Sequence, residues 1–161
     1  MKMDAPIIII GSGLAGYNVA REFRKLNSTA ELILIADDAA AFYSKPMLSN
    51  ALAKNKTSDE LPIANAETMA KDLNAKILKH TCVEKIDPKN HLLYTSNNET
   101  LSYSQLVLAL GASAVSLPVE GNAADKIYSV NDLESYADFR EAISDKKKIA
   151  IIGAGLIGCE F

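Results

Sequence analysis

Glycine recurs at one spacing twice in this chain, as Gly11-Ser12-Gly13-Leu14-Ala15-Gly16 and as Gly153-Ala154-Gly155-Leu156-Ile157-Gly158. The spacing is that of a loop wrapped around a pyrophosphate. The first glycine permits a turn that a Cβ would block, the second lets the backbone approach the phosphates, and the third lets helix and strand pack closely. The phosphate oxygens then meet unpaired N–H groups at the positive end of a helix. Asp37 lies 26 residues past Gly11, with Asp38 beside it, and either carboxylate can accept both hydroxyls of an adenosine ribose. An acid here, rather than an arginine, disfavours a 2′-phosphate. Two such loops suggest two nucleotides and electron traffic between them. Only three residues follow Gly158, so nothing after the second loop chooses between NADH and NADPH.

Other chemistries find no footing. Cys82 and Cys159 match no metal or CxxC spacing and are expected to be small buried hydrophobes. His80 and His91 have no carboxylate or cysteine at ligand spacing, so no metal site is expected. There is no Gly-x-Ser-x-Gly elbow, no Walker lysine, and no Tyr-x-x-x-Lys relay of a single-nucleotide dehydrogenase. Hydrophobic residues make up 48% of the chain and charged residues 23%, the balance of a soluble globular protein. With a net charge of −3 and one basic run, Lys146-Lys147-Lys148, a nucleic-acid partner has no electrostatic basis. The apolar run near the start is four residues long, too short for a signal peptide or a membrane span. The expectation is a cytoplasmic protein without a membrane partner.

The elements that position these residues can be read around them. Ile7-Ile8-Ile9-Ile10 has no polar alternation, as expected of a strand buried on both faces. Residues 14–26 carry Leu14, Tyr17, Val19, Ala20, Phe23 and Leu26 at helical spacing, and a second strand, 31–36, ends at Asp37-Asp38. A turn-rich loop (42–49), a short helix, a polar linker (54–60), a helix (64–73) and a short strand (76–78) follow. Segments 82–86, 91–95 and 100–101 read as an antiparallel excursion with turns at 87–90 and 97–98. A buried strand at 106–110 stops at Gly111, and 116–121 reads as a crossover to a new domain. Asn131 or Asp132 then caps a helix through about 143, and Ile149-Ala150-Ile151-Ile152 predicts a strand into the second loop.

Tyr43-Ser44-Lys45-Pro46-Met47-Leu48-Ser49, with Gly-Ser-Gly-Leu-Ala-Gly-Tyr-Asn at 11–18 and Ile-Gly-Ala-Gly-Leu-Ile-Gly-Cys-Glu-Phe at 152–161, resembles the FAD-dependent pyridine nucleotide-disulfide oxidoreductases. Within them it is similar to the branch that reduces rubredoxin, and the likeness runs over the whole chain. Ala109-Leu110-Gly111 matches the group's Ala-Thr-Gly-type motif, with Leu110 in place of the usual threonine.

The resemblance implies an α/β fold: a Rossmann-like FAD-binding domain (1–115, first portion), with helices on both faces of a parallel sheet, and the start of a Rossmann-like NAD-binding domain (116–161, truncated). It places FAD on Gly11, Ser12, Gly13, Leu14 and Gly16, its ribose at Asp37 or Asp38, and its adenine at the Val83 backbone. NADH goes to Gly153, Gly155 and Gly158. Lys45 is expected near the flavin ring, with Glu160 as its carboxylate partner at the flavin–nicotinamide junction. Cys82 and Cys159 cannot form the redox pair of a disulfide reductase. Electrons therefore have to leave one at a time to rubredoxin or a similar small iron–sulfur carrier. The expected activity is NADH-dependent reduction of that carrier, of which these 161 residues alone are not capable. The rivals are a flavorubredoxin or ferredoxin reductase and a non-catalytic FAD-binding module.

Overall fold

The computed structural model describes residues 5–115 and 118–161. Residues 1–4, and the first two positions of the expected crossover at 116–121, lie outside the described residues. The strands are β1 (Ile7–Ile10), β2 (Leu32–Ile35), β3 (Lys76–Leu78), β4 (Val83–Asp87), β5 (Leu92–Thr95), β6 (Thr100–Ser102) and β7 (Gln105–Leu108). The helices are α1 (Leu14–Leu26), α2 (Met47–Ala51), α3 (Ala66–Asp72), α4 (Leu133–Ile143) and α5 (Leu156–Glu160). They divide into two compact units, Met1–Tyr43 with Ile63–Gly111, and Ser44–Pro62 with Ala112–Phe161. Among the described residues no helix is long and apolar enough to cross a membrane.

The first unit is built on a parallel sheet in the order β3-β2-β1-β7. In register, Ile10 stands beside Ile35 on one side and Leu108 on the other, so three strands end level. The chain leaves β1 toward β2 and β3 and returns on the opposite side as β7. That reversal opens a crevice beyond the carboxyl ends of β1 and β7, where ligands of open α/β sheets bind.

β1 and β2 are apolar on both faces, and each face has its own cover. Ile9, Leu32 and Leu34 pack with Tyr17 and Ala20 of α1 and with Met69 and Leu73 of the α3 region. Ile8, Ile10, Ile33 and Ile35 pack instead under Leu93 and Tyr103. These come from β5 and the residue after β6, in an antiparallel sheet ordered β4-β5-β6. The expectation of helices on both faces is corrected here: helices cover one face and the antiparallel sheet covers the other. Alternating burial along β5, with Leu93 and Thr95 inward, lets that sheet serve as a lid with one wet side.

The α1 helix spans Leu14–Leu26, as its spacing predicts, but its inner stripe is narrower. Gly16, Tyr17 and Ala20 are buried, while Leu14, Val19 and Leu26 are exposed. The Tyr17 hydroxyl donates to the Ala40 carbonyl at 2.6 Å, and its ring meets Phe42 edge-on at 5.4 Å. At the far end, the Arg24 guanidinium donates to the carbonyls of Asn27, Ala30, Leu73 and Asn74, tying α1 to the end of α3. The β7 strand stops at Leu108, and Leu108 and Leu110 are exposed rather than buried. As an edge of the described sheet, β7 has a neighbour on one side only.

In the second unit α4 starts at Asp132, whose carboxylate accepts from the Ser135 amide at 2.7 Å. Tyr136 is fully buried and donates to the Lys56 carbonyl at 2.8 Å, which Arg140 also engages. The run at 149–152 is not a strand: Ile149, Ile151 and Ile152 are each more than half exposed. Strand conformation depends on ladder partners, and none of the described strands pairs with this run.

Candidate functional site: two glycine turns and a crevice

The first glycine loop is held shut by contacts only glycine allows. Gly11 sits at φ +108°, and a Cβ there would lie 2.1 Å from the Ala109 carbonyl oxygen. The turn therefore presses against the end of β7, where the crevice opens. A Cβ on Gly16 would lie 1.9 Å from the Gly11 carbonyl oxygen, so α1 can start this close to the turn only without a side chain. Gly13 differs: a Cβ there would meet nothing within 4 Å. The backbone at Gly13 is therefore open to close approach.

The start of α1 is prepared for an anion. Gly13 is its N-cap, no side chain caps it, and no acid stands in its first turn. Its first amides are left without side-chain acceptors and carry the positive end of a thirteen-residue dipole. Ser12 is buried beside them, and its hydroxyl donates to Asp38 at 3.3 Å. These residues fit the diphosphate of a dinucleotide.

The two candidate ribose acids stand in different surroundings. Asp38 is half-buried and already engaged, accepting from the Ala40 amide at 2.8 Å and from Ser12. It shapes a local turn that carries Ala40 at φ +54°. Asp37 is exposed and borders a cavity of about 110 Å³ at the carboxyl edge of the sheet. Gly11, Thr81, Cys82, Val83 and Leu110 border the same cavity. Asp37, Val83 and the glycine loop, distant in sequence, thus meet at one place. Thr81 and Cys82 were not foreseen in this role; their position just before Val83 was the available signal. Cys82 and Cys159 are both exposed, against the expectation of burial. One lines a cavity rim and the other follows a surface turn, so neither has core to enter.

The second glycine loop repeats the first in miniature. Gly153 has φ +114°, Gly155 is the N-cap of α5, and a Cβ on Gly158 would lie 2.2 Å from the Gly153 carbonyl oxygen. A Cβ on Gly155 would meet nothing within 4 Å, the same opening found at Gly13. The turn therefore fits a second dinucleotide in shape.

Lys45 and Glu160 are not partners in this structure. The Lys45 ammonium lies 3.5 Å from the Ala112 carbonyl. Glu160 accepts instead from the Ser49 hydroxyl, and from the Asn50 side-chain amide at 3.2 Å. The expected ion pair is replaced because α2 presents Ser49 and Asn50 to the end of α5, whereas Lys45 precedes α2. Asn50 was missed by the sequence reading, since a neutral amide beside a Ser-Lys-Pro motif carries no signal of its own.

Comparison with known proteins bears on these features together. The family model described as pyridine nucleotide-disulphide oxidoreductase matches residues 5–161. The rubredoxin-NAD(+) reductase of Acinetobacter baylyi is 49% identical over 161 residues, covering 97% of this chain and 41% of that protein. The rubredoxin-NAD(+) reductase of Alcanivorax borkumensis is 45% identical over 156 residues, again 97% of this chain and 41% of that one. Among solved structures, NADH:rubredoxin oxidoreductase from Clostridium acetobutylicum superposes with a TM-score of 0.81 at 27% identity, covering 97% of this chain and 40% of that one. The chain thus spans 41% of the length of the curated relatives named here. With matching glycine turns, an uncapped α1 and a family model spanning residues 5–161, the chain belongs to the pyridine nucleotide-disulphide oxidoreductase family.

Proposed function

We propose that these residues are the first portion of a cytoplasmic FAD-dependent oxidoreductase that moves electrons from NADH through FAD to rubredoxin or a similar small iron–sulfur carrier. The observation that carries this reading is the meeting of Gly11, Asp37 and Val83 around one cavity next to the uncapped start of α1. The α1 amides would hold the FAD diphosphate, Asp37 its adenosine ribose and the Val83 backbone its adenine. Asp38, already spoken for by Ala40 and Ser12, would set the loop that aims Asp37. Gly153, Gly155 and Gly158 would hold NADH, and the names of the 45–49% identical relatives support NAD over NADP. Bound FAD supplies a carrier able to take two electrons and release them singly. The chain's part is to bind, orient and tune, with the Lys45 cation beside the flavin and the Glu160 carboxylate beside the nicotinamide. Residues 1–115 and 116–161 would then belong to the FAD and NAD domains.

Purified full-length protein should be yellow, bleach under NADH without oxygen, and then reduce rubredoxin faster than ferredoxin. Asp37→Asn should weaken FAD binding roughly tenfold, the loss of charge-assisted hydrogen bonds to a ribose. A protein that stays colourless after reconstitution with FAD refutes the proposal. One that takes up FAD but is not reduced by NADH is a binding module instead, and preference for ferredoxin moves the assignment to that carrier.

A further inference from the structure

We propose that Leu110 is a specificity residue of the dinucleotide site, an apolar wall at the adenosine end. Part of the preference for FAD over FMN then comes from burying hydrocarbon rather than from a hydrogen bond. The inference rests on the proposed FAD role of the first glycine turn. Leu110 stands where the usual motif has threonine, and it is 70% exposed although the residue before it is locked in place. The Ala109 amide donates to the Ile10 carbonyl at 2.8 Å, and Gly11 lies so close to the Ala109 carbonyl oxygen that no Cβ fits between them. Gly111, at φ +70°, then takes the left-handed conformation that ends the run. A large apolar residue is thus held at the rim of the crevice, one position past the contact that closes the glycine turn.

What Leu110 can meet is set by its company. It borders the cavity of about 110 Å³ shared with Gly11, Asp37 and Val83. The Thr81 hydroxyl at that cavity is already engaged, donating to the Lys79 carbonyl at 2.9 Å and accepting from Asn97 at 3.3 Å. Cys82 adds only a thiol, a weak hydrogen-bonding group. Asp37 supplies the carboxylate proposed for the ribose. Much of the remaining border, with Ile10, Val83 and Leu110, is apolar, which suits the flat face of a base better than a sugar or a phosphate. An adenine laid along Leu110 removes apolar surface from water on both partners, and that gain needs no hydrogen bond. A threonine at the same position would offer a hydroxyl and less hydrocarbon. FMN, which lacks the adenosine, gains nothing there.

The test uses the full-length protein stripped of FAD, with the variants Leu110→Ala, Leu110→Thr and Leu110→Met. Titration calorimetry at several temperatures measures binding of ADP, FAD and FMN, and melting curves of the apoproteins report folding. Leu110→Ala should raise the Kd for ADP and for FAD roughly tenfold, the scale of one buried leucine side chain. It should also make the heat-capacity change of binding less negative, the mark of lost apolar burial. FMN affinity and the apoprotein melting temperature should match the wild type. Leu110→Thr should weaken ADP about threefold or more through lost hydrocarbon. Leu110→Met, which keeps the volume, should stay within about twofold of the wild type. Unchanged ADP binding in Leu110→Ala and Leu110→Thr overturns the inference, as does equal weakening of FAD and FMN. A lower melting temperature with unchanged ADP binding also overturns it, by placing Leu110 against the rest of the chain. A wild type that takes up no FAD overturns the proposed function and this inference together. One that binds FAD no better than its Leu110→Ala variant overturns this inference alone.

Discussion

Gly13 and Gly16 lie three residues apart, and their surroundings assign them opposite duties. Gly16 is required by packing, because its missing Cβ is what lets the helix meet the turn at Gly11. Gly13 has ordinary extended angles, φ −69° and ψ −174°, and no neighbour to offend. In the full-length protein, Gly16→Ala should cost about 1–3 kcal/mol of apoprotein stability through overpacking and lose FAD as well. Gly13→Ala should leave the melting temperature unchanged or raise it, by about 0.4–1 kcal/mol in stability, and still weaken FAD. Melting curves with FAD titrations separate the two, and a Gly13→Ala protein with wild-type affinity would show that the backbone there is not the cradle. At this scale the sequence was informative about which residue types matter and weaker on which neighbour each one meets. Asp37 and Asp38 are the same chemical group one position apart, and only the fold shows one turned inward to Ser12 and Ala40. The exposure of Cys82 and Cys159 was misjudged for the same reason: a thiol's preference for burial matters only where there is core to enter.

Local pattern reads best in α1, whose limits Leu14 and Leu26 follow from a glycine turn before it and Asn27-Ser28 after it. The capping of α4 by Asp132 was legible for the same reason, since a cap is set by residues within one turn. The run at 149–152 shows the limit. It has the composition of a strand, yet composition does not supply a neighbour, and strand pairing is a long-range property. The antiparallel β4-β5-β6 layer was visible as three short strands, but its task as the cover of the main sheet was not, because nothing in a strand's sequence names the surface it will face. The α1 helix also carries a measurable signature. Burial, reinforced by Asp38 and Glu67, raises the Tyr17 phenol to about 12 from its ordinary 10.0. The fold therefore favours the neutral phenol, and that stabilisation is fully present below pH 10 and lost as pH rises toward 12, by about 2 kcal/mol. Urea midpoints should fall more steeply over that window for the wild type than for Tyr17→Phe. Equal slopes would place the alkaline sensitivity in other groups.

Taken whole, the chain carries a well-packed first unit and a second unit whose apolar run at 149–152, with Leu156 and Ile157, remains in contact with solvent. Exposed apolar residues in an unpaired segment invite association with another chain. The isolated 161-residue chain should therefore self-associate as its concentration rises, and Ile151→Lys should suppress this. Sedimentation velocity on both proteins decides it: identical monomeric behaviour over the same concentrations would remove the run as the cause.

The two glycine turns have one further consequence. The turn at 11–16 follows a strand paired on both sides, whereas the turn at 153–158 adopts the same hook with no strand among the described residues before it. In each hook the third glycine closes against the carbonyl of the first, a contact contained within six consecutive residues. Such a hook is portable. A stretch of that length can be moved as a unit, because the contact that closes it lies wholly inside it.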